Sequence, residues 1–208
     1  MPDVWNERAV VCGLQARDRE AWTLLYTHHS ERVWRYAARL IGAEQTAVAD
    51  IVQETFLTAA RSARTFDSSR GTLAQWLLGI AHHQASRHWR TAARTDDLRR
   101  LAGAGAAPIA WDADSDPTAL LEHQETATLV RFVLASLPSD YALLLAGKYL
   151  DGKSVEQLVE ELGGTTEAIR SRLARARREF REAFERQAGE KPSRSSEPGL
   201  VRETSADR

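Results

Sequence analysis

The sequence contains one cysteine, Cys12, among its 208 residues. A single thiol excludes an internal disulfide and a zinc site built from cysteines alone. No segment approaches the roughly 18 to 20 apolar residues that a membrane-spanning helix needs. Residues 1–9 show no basic head followed by an apolar run, so no secretory signal is expected. These absences favour a protein of the reducing cytoplasm that does not insert into a membrane.

Motifs of catalytic and metal-binding sites are also lacking. The chain has no His-Glu-x-x-His, no phosphate-binding glycine loop and no nucleophile elbow. Two pairs of adjacent histidines occur, at positions 28–29 and 82–83. Adjacent side chains on a helix point about 100° apart, so the two members of a pair make poor co-ligands for one metal ion. His83 and His88 do not have the three- or four-residue spacing that shares a helix face. We therefore expect no enzyme, no cofactor and no metal site.

Charge is balanced over the whole chain but distributed unevenly. The formal net charge is -1, yet segment 87–100 holds five arginines and segment 170–181 holds six. Acidic residues collect at 112–125 and 156–161. Two basic segments separated by acidic ones fit a protein that contacts phosphate in two places. Two solvated helix faces would give the same pattern.

Apolar residues recur at helical spacing along most of the chain, which predicts an all-α fold. Segment 101–117, rich in Ala, Gly, Pro and Asp, has the composition of a flexible linker. The predicted fold class is two helical domains joined by a flexible linker, the C-terminal one with a helix-turn-helix. The expected helices cover about residues 21–41, 47–60, 72–94, 118–136, 138–150, 155–162 and 166–187.

The C-terminal part predicts the helix-turn-helix in detail. Ser154 and Gln157 have the spacing of a capping box, Gly163-Gly164 permits a sharp turn, and Thr165 or Thr166 can cap the last helix. A short helix, a glycine turn and a longer basic helix form a unit that places the second helix in the DNA major groove. An arginine-rich helix of an ordinary bundle remains an alternative, as does a transcriptional regulator with a helical sensing domain.

Three segments follow each other in an order that is typical of one known family. Residues 50–57 (Asp-Ile-Val-Gln-Glu-Thr-Phe-Leu) are similar to a polymerase-docking segment, residues 76–90 to a promoter-melting helix, and residues 137–177 to a promoter-reading domain. The chain thus resembles the small extracytoplasmic-function (ECF) sigma factors of bacterial RNA polymerase. The resemblance implies sigma region 2 over 5–95 and sigma region 4 over 121–187. Composition predicts a flexible linker over 96–120 and a disordered tail over 188–208.

The resemblance also implies a function and its partners. The protein would bind core RNA polymerase, through the clamp of the largest subunit and the flap, and direct it to promoters. It would recognise the -10 and -35 elements of promoter DNA and help to melt the duplex. An anti-sigma factor is the other partner that the resemblance implies.

The same resemblance assigns roles to individual residues. Those implied to bind core polymerase are Asp50, Ile51, Gln53, Glu54 and Leu57. Those implied to bind the -10 element are Phe66, Asp67, Arg70, Trp76, His83, Arg87 and Arg90. Those implied to bind the -35 element are Thr166, Glu167, Arg170, Ser171, Arg172 and Arg175.

Several positions depart from the family pattern, among them Tyr141-Ala142, where a polar-Arg pair is common, and Gln157, which replaces a common Glu. His83 stands where the family usually has Asn, and Arg87 stands where it usually has Asp, so the base preference at the -10 element is not transferable. Gly147 replaces an apolar residue inside a predicted helix, where glycine costs roughly 0.5 to 1 kcal/mol relative to Ala.

Overall fold

The computed structural model describes residues 5–42, 44–94 and 117–189, and these residues form α-helices and no strand. The predicted all-α class is confirmed. Residues 96–116 of the predicted linker and most of the predicted tail lie outside the described residues. The helices are α1 (Glu7–Ala16), α2 (Arg19–Ile41), α3 (Gln45–Ser62), α4 (Leu73–Arg94), α5 (Pro117–Ser136), α6 (Ser139–Leu145), α7 (Val155–Leu162) and α8 (Thr166–Gly189).

Helix α1 is absent from the sequence-based expectations. Its N-cap is Asn6, whose side chain accepts a hydrogen bond from the Ala9 amide at 3.2 Å. The chain leaves the helix through Arg17 in the left-handed region, with φ of 63°. Glu7 accepts a hydrogen bond from the Leu73 amide at 2.8 Å and so ties α1 to the start of α4. Asn6 followed by an acidic residue is the signal that could have revealed this helix.

Helices α2, α3 and α4 share an apolar core. Leu25 and Leu40 of α2 and Leu77 of α4 are fully buried, and each stabilises the fold by about 1.5–3 kcal/mol. The indole of Trp89 donates a hydrogen bond to the Leu40 carbonyl at 2.9 Å, which joins α4 to the end of α2. This packing holds the opposite face of α4 towards solvent.

The second half builds the predicted helix-turn-helix. The Ser154 and Gln157 side chains each bond the other residue's backbone amide, at 3.2 and 2.8 Å, so the capping box before α7 is confirmed. Gly163 and Gly164 make the turn with φ of 72° and 94°. Thr165 is the residue that caps α8, accepting from the Ala168 amide at 3.2 Å. A separate apolar cluster packs α7 and α8 against α6: Leu144, Leu158, Ile169 and Leu173.

Two local expectations change in this half. Pro138 precedes the first residue of α6 as its N-cap instead of lying in its first turn. Gly147 lies in a π-helical turn, Ala146–Leu150, and not in an ordinary α-helix. A Cβ atom there would come within 2.7 Å of Leu158, so glycine permits the close approach of α7. The expected cost of this glycine is thereby offset by the packing that it allows.

The two halves pack against each other. Val133 and Leu137, at the end of α5 and just after it, are buried in the same apolar cluster as Leu77 and Trp89 of α4. Trp89 also meets Phe132 edge to face, with ring centroids 5.9 Å apart. Sequence periodicity carries no information on such a long-range contact. Within the described residues, no helix combines the length and apolar character of a membrane span.

Candidate nucleic-acid interface

The residues predicted to bind the -35 element lie on the outer side of α8, and this side is here called the α8 face. Ile169, Leu173 and Ala176 point into the core, which fixes the opposite side of the helix towards solvent. Most of the predicted -35 residues are exposed and two are half-buried. Glu167, Arg170, Ser171 and Arg175 are exposed, whereas Thr166 and Arg172 are half-buried.

Arg172 lies against the turn before its own helix. A Cβ atom on Gly164 would stand 3.0 Å from Nη2 of Arg172, so the glycine leaves room for the guanidinium. The side chain is therefore less free than Arg170 and Arg175. One turn beyond the α8 face, Arg177 donates a hydrogen bond from Nη1 to the Tyr149 hydroxyl at 3.4 Å. Cationic side chains that the fold already holds in place lose less conformational entropy when they bind phosphate.

A second group of predicted DNA-binding residues meets at a cavity of about 550 Å³ between residues 65–72 and α4, here called the loop cavity. Phe66 is buried, Trp76 is half-buried, and their ring centroids lie 5.1 Å apart. Five of the predicted -10 residues line the cavity: Phe66, Asp67, Arg70, Trp76 and His83. Aromatic faces next to polar groups are what an unpaired base requires.

Local hydrogen bonds give the loop its shape. Asp67 accepts from the Ser69 hydroxyl at 2.7 Å and from the Ser69 amide at 2.9 Å. These two bonds hold the pKa of the Asp67 carboxyl below its ordinary value. Thr72 and Gln75 exchange side-chain-to-amide bonds of 2.9 and 3.2 Å, which is a capping box at the start of α4. The Thr-x-x-Gln spacing could have revealed this box from the sequence.

His83, Arg87 and Arg90 continue from the cavity along α4. Their spacing places them on one face, and all three are exposed. The neighbouring face of α4 is buried against α2 and α5, where Ala81, Ala85 and Trp89 lie. The loop cavity and this row therefore form one continuous surface that contains all seven predicted -10 residues.

The predicted polymerase-docking residues lie on α3. Asp50, Gln53, Glu54 and Leu57 are exposed and follow the spacing of one helix face, here called the α3 face. Ile51 is 5% exposed and belongs to the core, so it does not share this face. The sequence reasoning missed Tyr26 of α2, which is 54% exposed and lies 4.9 Å from Phe56 of α3, centroid to centroid. The exposed Tyr26, packed on Phe56, adds apolar surface where α2 meets α3.

Family models match two segments of the chain. The model of Sigma-70 region 2 matches residues 25–95, and the model of Sigma-70, region 4 matches residues 128–180. The ECF RNA polymerase sigma-E factor of Escherichia coli (strain K12) is 27% identical over 195 residues, covering 85% of this chain and 93% of that protein. The chain belongs to the ECF RNA polymerase sigma factors.

Another ECF relative is similar over nearly the whole chain. SigL of Mycobacterium tuberculosis (strain ATCC 25618 / H37Rv) is 27% identical over 177 residues, covering 83% of this chain and 94% of SigL. Two solved structures show weaker likeness. CnrH in complex with the cytosolic domain of CnrY has 21% identity and a TM-score of 0.45, covering 86% of this chain and 97% of that one. The sigma factor RpoE in complex with the anti-sigma factor NepR from Bartonella quintana has 18% identity and a TM-score of 0.36, covering 77% and 94%.

Membership of the ECF sigma factors sets the function. The protein directs promoter-specific initiation of transcription by RNA polymerase, so its partners are core RNA polymerase and promoter DNA. Sigma factors act as initiation factors rather than enzymes. The alternative of a stand-alone transcriptional regulator does not explain the match to Sigma-70 region 2.

Proposed function

We propose that this ECF sigma factor divides promoter recognition between its two regions. Region 4 reads the -35 element as duplex DNA through the α8 face. Region 2 captures and opens the -10 element at the loop cavity and along α4, while the α3 face docks on core polymerase. The arrangement of five predicted -10 residues around one cavity is the observation that best supports this division.

The α8 face suits duplex DNA because it is a single rigid helix with an exposed basic side. A major groove about 12 Å wide admits an α-helix. Arg170 and Arg175 are exposed on this side and can reach base edges or phosphates. Glu167, in the first turn, can accept a hydrogen bond from the amino group of cytosine.

The loop cavity suits an unpaired base. Extracting a base from the stack costs a few kcal/mol, which stacking and hydrogen bonds in a pocket must offset. The rings of Phe66 and Trp76 supply apolar faces, and the ionised Asp67 supplies an acceptor at the rim. Arg87 and Arg90, exposed along α4, can then hold the backbone of the opened strand by charge.

The α3 face suits a basic, partly apolar partner helix. Its carboxylates, Asp50 and Glu54, follow the same helix face as the exposed Leu57, and Tyr26 is exposed on the neighbouring helix α2. A small apolar centre with a charged rim is the common anatomy of protein interfaces. The proposed partner is the clamp of the largest polymerase subunit, and the flap is the proposed partner of region 4.

Family membership supports three further proposals. The protein works in the cytoplasm, where its polymerase is, has no catalytic activity of its own, and is held inactive by an anti-sigma factor. Co-purification from the native cell is the measurement that checks the last of these. Recovery of core polymerase with no inhibitory protein, under conditions where target genes are silent, would contradict it.

Run-off transcription with purified core polymerase tests the proposed function. The wild-type chain should support initiation from promoters of its own genome, and core enzyme alone should not. A variant with Asp50 and Glu54 changed to Arg should lose core binding and transcription together, while its α8 face still binds -35 duplex. Tight duplex binding by the wild-type chain with no initiation would instead indicate an ordinary regulator.

A further inference from the structure

Two side chains of α1 bond to the two ends of the segment that forms the loop cavity. Glu7 accepts a hydrogen bond from the Leu73 amide at 2.8 Å, where the segment ends and α4 begins. Gln15 donates from Nε2 to the Phe66 carbonyl at 3.5 Å, where the segment begins. Glu7 and Gln15 are separated by about two helical turns, which puts them on the same face of α1. One helix thus holds the loop at both ends.

Helix α1 is itself firmly held by the core of region 2. Val10 and Leu14 of α1 are buried in the same apolar cluster as the inner faces of α2, α3 and α4. A Cβ atom on Gly13 would stand 2.5 Å from the Cβ atom of Ala21, so glycine permits the close approach of α1 and α2. The helix is therefore a rigid support for the two bonds that it makes to the loop.

The carboxylate of Glu7 supplies a partner that the start of α4 lacks within its own segment. The first four amides of an α-helix have no acceptor inside the helix. In α4 the Thr72 hydroxyl accepts from the Gln75 amide at 3.2 Å, and Glu7 accepts from the Leu73 amide. A negative charge at this position is also favoured by the positive end of the helix dipole. Glu7 therefore fixes the first residue of α4 and the direction in which the loop enters it.

Both bonds act on the loop cavity from outside it. Glu7 and Gln15 are not among the described residues that line the cavity. Gln15 instead fixes the backbone that carries the Phe66 ring, and Glu7 fixes the turn of α4 that carries the Trp76 ring. The separation of these rings, 5.1 Å between centroids, therefore depends on where α1 stands. The match to Sigma-70 region 2 starts at residue 25, so it assigns no role to α1.

We propose that Glu7 and Gln15 are positioning residues for the -10 element, which hold the ends of the loop and so keep its cavity in the shape that an extracted base needs. Holding a loop in its bound conformation lowers the entropy cost of binding. The bond to Glu7 has a charged acceptor and is the shorter of the two, so Glu7 makes the larger contribution. This inference rests on the proposed function, because it deepens the assignment of the loop cavity to an unpaired base.

Substitutions in the full-length chain, assembled with core polymerase, test the proposal. The probe is a fluorescent single strand that carries the -10 sequence selected by the wild-type holoenzyme. Glu7→Ala should weaken its binding about tenfold, as expected for one lost bond to a charged acceptor, and Gln15→Ala should weaken it less. Glu7→Gln keeps an oxygen acceptor of the same reach and should restore most of the affinity.

Trp89→Phe is the matched control for a general loss of stability. It also removes a bond between α4 and a neighbouring helix, since the Trp89 indole donates to the Leu40 carbonyl at 2.9 Å. Trp89 is 3% exposed and lies about 24 Å along α4 from Leu73, so it does not act on the loop. Trp89→Phe should lower the melting temperature as Glu7→Ala does, without weakening binding of the -10 strand.

Base discrimination is the readout that a merely structural role would not change. The ratio of affinities for the selected strand and for strands with one substituted base should fall in Glu7→Ala and keep its wild-type value in Trp89→Phe. Binding of core polymerase and of -35 duplex should not change in any variant. A wild-type ratio in Glu7→Ala, or Glu7→Gln no better than Glu7→Ala, would overturn the proposal. A wild-type chain with no base preference at all would contradict the proposed function itself, and this inference with it.

Discussion

The two DNA-facing regions hold their functional side chains by different means. In region 4 the α8 face is one side of a helix whose other side is buried at Ile169 and Leu173. In region 2 the loop cavity depends on an irregular segment shaped by Asp67 and by the capping box at Thr72. The difference matches their proposed substrates, since a duplex groove accepts a straight helix whereas an extracted base needs a pocket with walls.

Removing a core leucine from one region should have the largest effect on the function of that region. Leu158 and Leu77 are both fully buried, one in each region, and truncation to Ala should cost about 2–5 kcal/mol of unfolding free energy at either site. Leu158→Ala should weaken binding of the -35 duplex more than it weakens binding of core polymerase. Leu77→Ala should weaken binding of core polymerase more than it weakens binding of the -35 duplex. Chemical denaturation and the two binding assays measure this. Equal loss of both activities in both variants would show that the regions fold as one unit.

A single arginine on the α8 face should have the next largest effect. Arg175→Ala or Arg172→Ala should weaken promoter use by roughly 1 to 3 kcal/mol if the side chain makes a bidentate base contact. Binding to core polymerase should not change. Arg186→Ala, an exposed arginine in the last turn of the same helix, is the matched control and should leave the -35 affinity unchanged.

Arg87 offers the corresponding test in region 2. Arg87→Ala should reduce binding of single-stranded -10 DNA and lower the salt dependence by about 0.7 in the log–log slope, as expected for one lost phosphate contact. The -35 affinity should not change. Arg19→Ala, at an exposed position outside the predicted -10 surface, serves as control. A slope that does not change would show that Arg87 does not contact the opened strand.

Helix caps give a smaller and more local comparison. Ser154→Ala and Thr72→Ala each remove one capping box and should cost about 1 kcal/mol. The first should weaken -35 binding and the second should weaken -10 binding, both through a frayed helix start. Hydrogen exchange in the first turn of α7 or α4 measures the fraying. Protection unchanged in the affected turn would contradict this account.

A small fall in pH from neutral should have the smallest effect on the free energy of unfolding. Burial lowers the pKa of His29 to about 4 and also lowers the pKa of His82 from the ordinary value near 6.5. Both groups are neutral when folded and take up protons more readily when unfolded. The contribution of His29 to stability is therefore complete above pH 6.5 and is lost as the pH falls towards 4. His29→Gln should reduce the slope of unfolding free energy against pH between 6.5 and 4.5, and an unchanged slope would contradict the assignment to His29.

The sequence predicted what depends on short-range pattern. The capping box at Ser154, the turn at Gly163-Gly164 and the exposed arginines of α8 follow from spacing alone, because helix periodicity decides which side is buried. The same pattern could not show that Ile51 faces the core while Asp50 faces solvent, since that depends on where α3 packs. It also could not predict the contact of Trp89 with Phe132, because these residues are far apart in sequence and belong to different regions.

Selection from a promoter library tests the central claim, the division of labour between the regions, most directly. Core polymerase with the wild-type chain should enrich two separate sequence elements, an upstream element read by the α8 face and a downstream element read at the loop cavity. Arg175→Ala should relax the sequence preference of the upstream element only, and His83→Ala that of the downstream element only. If both variants relax the same element, or if a single element is enriched, the proposed division between α8 and the loop cavity is wrong.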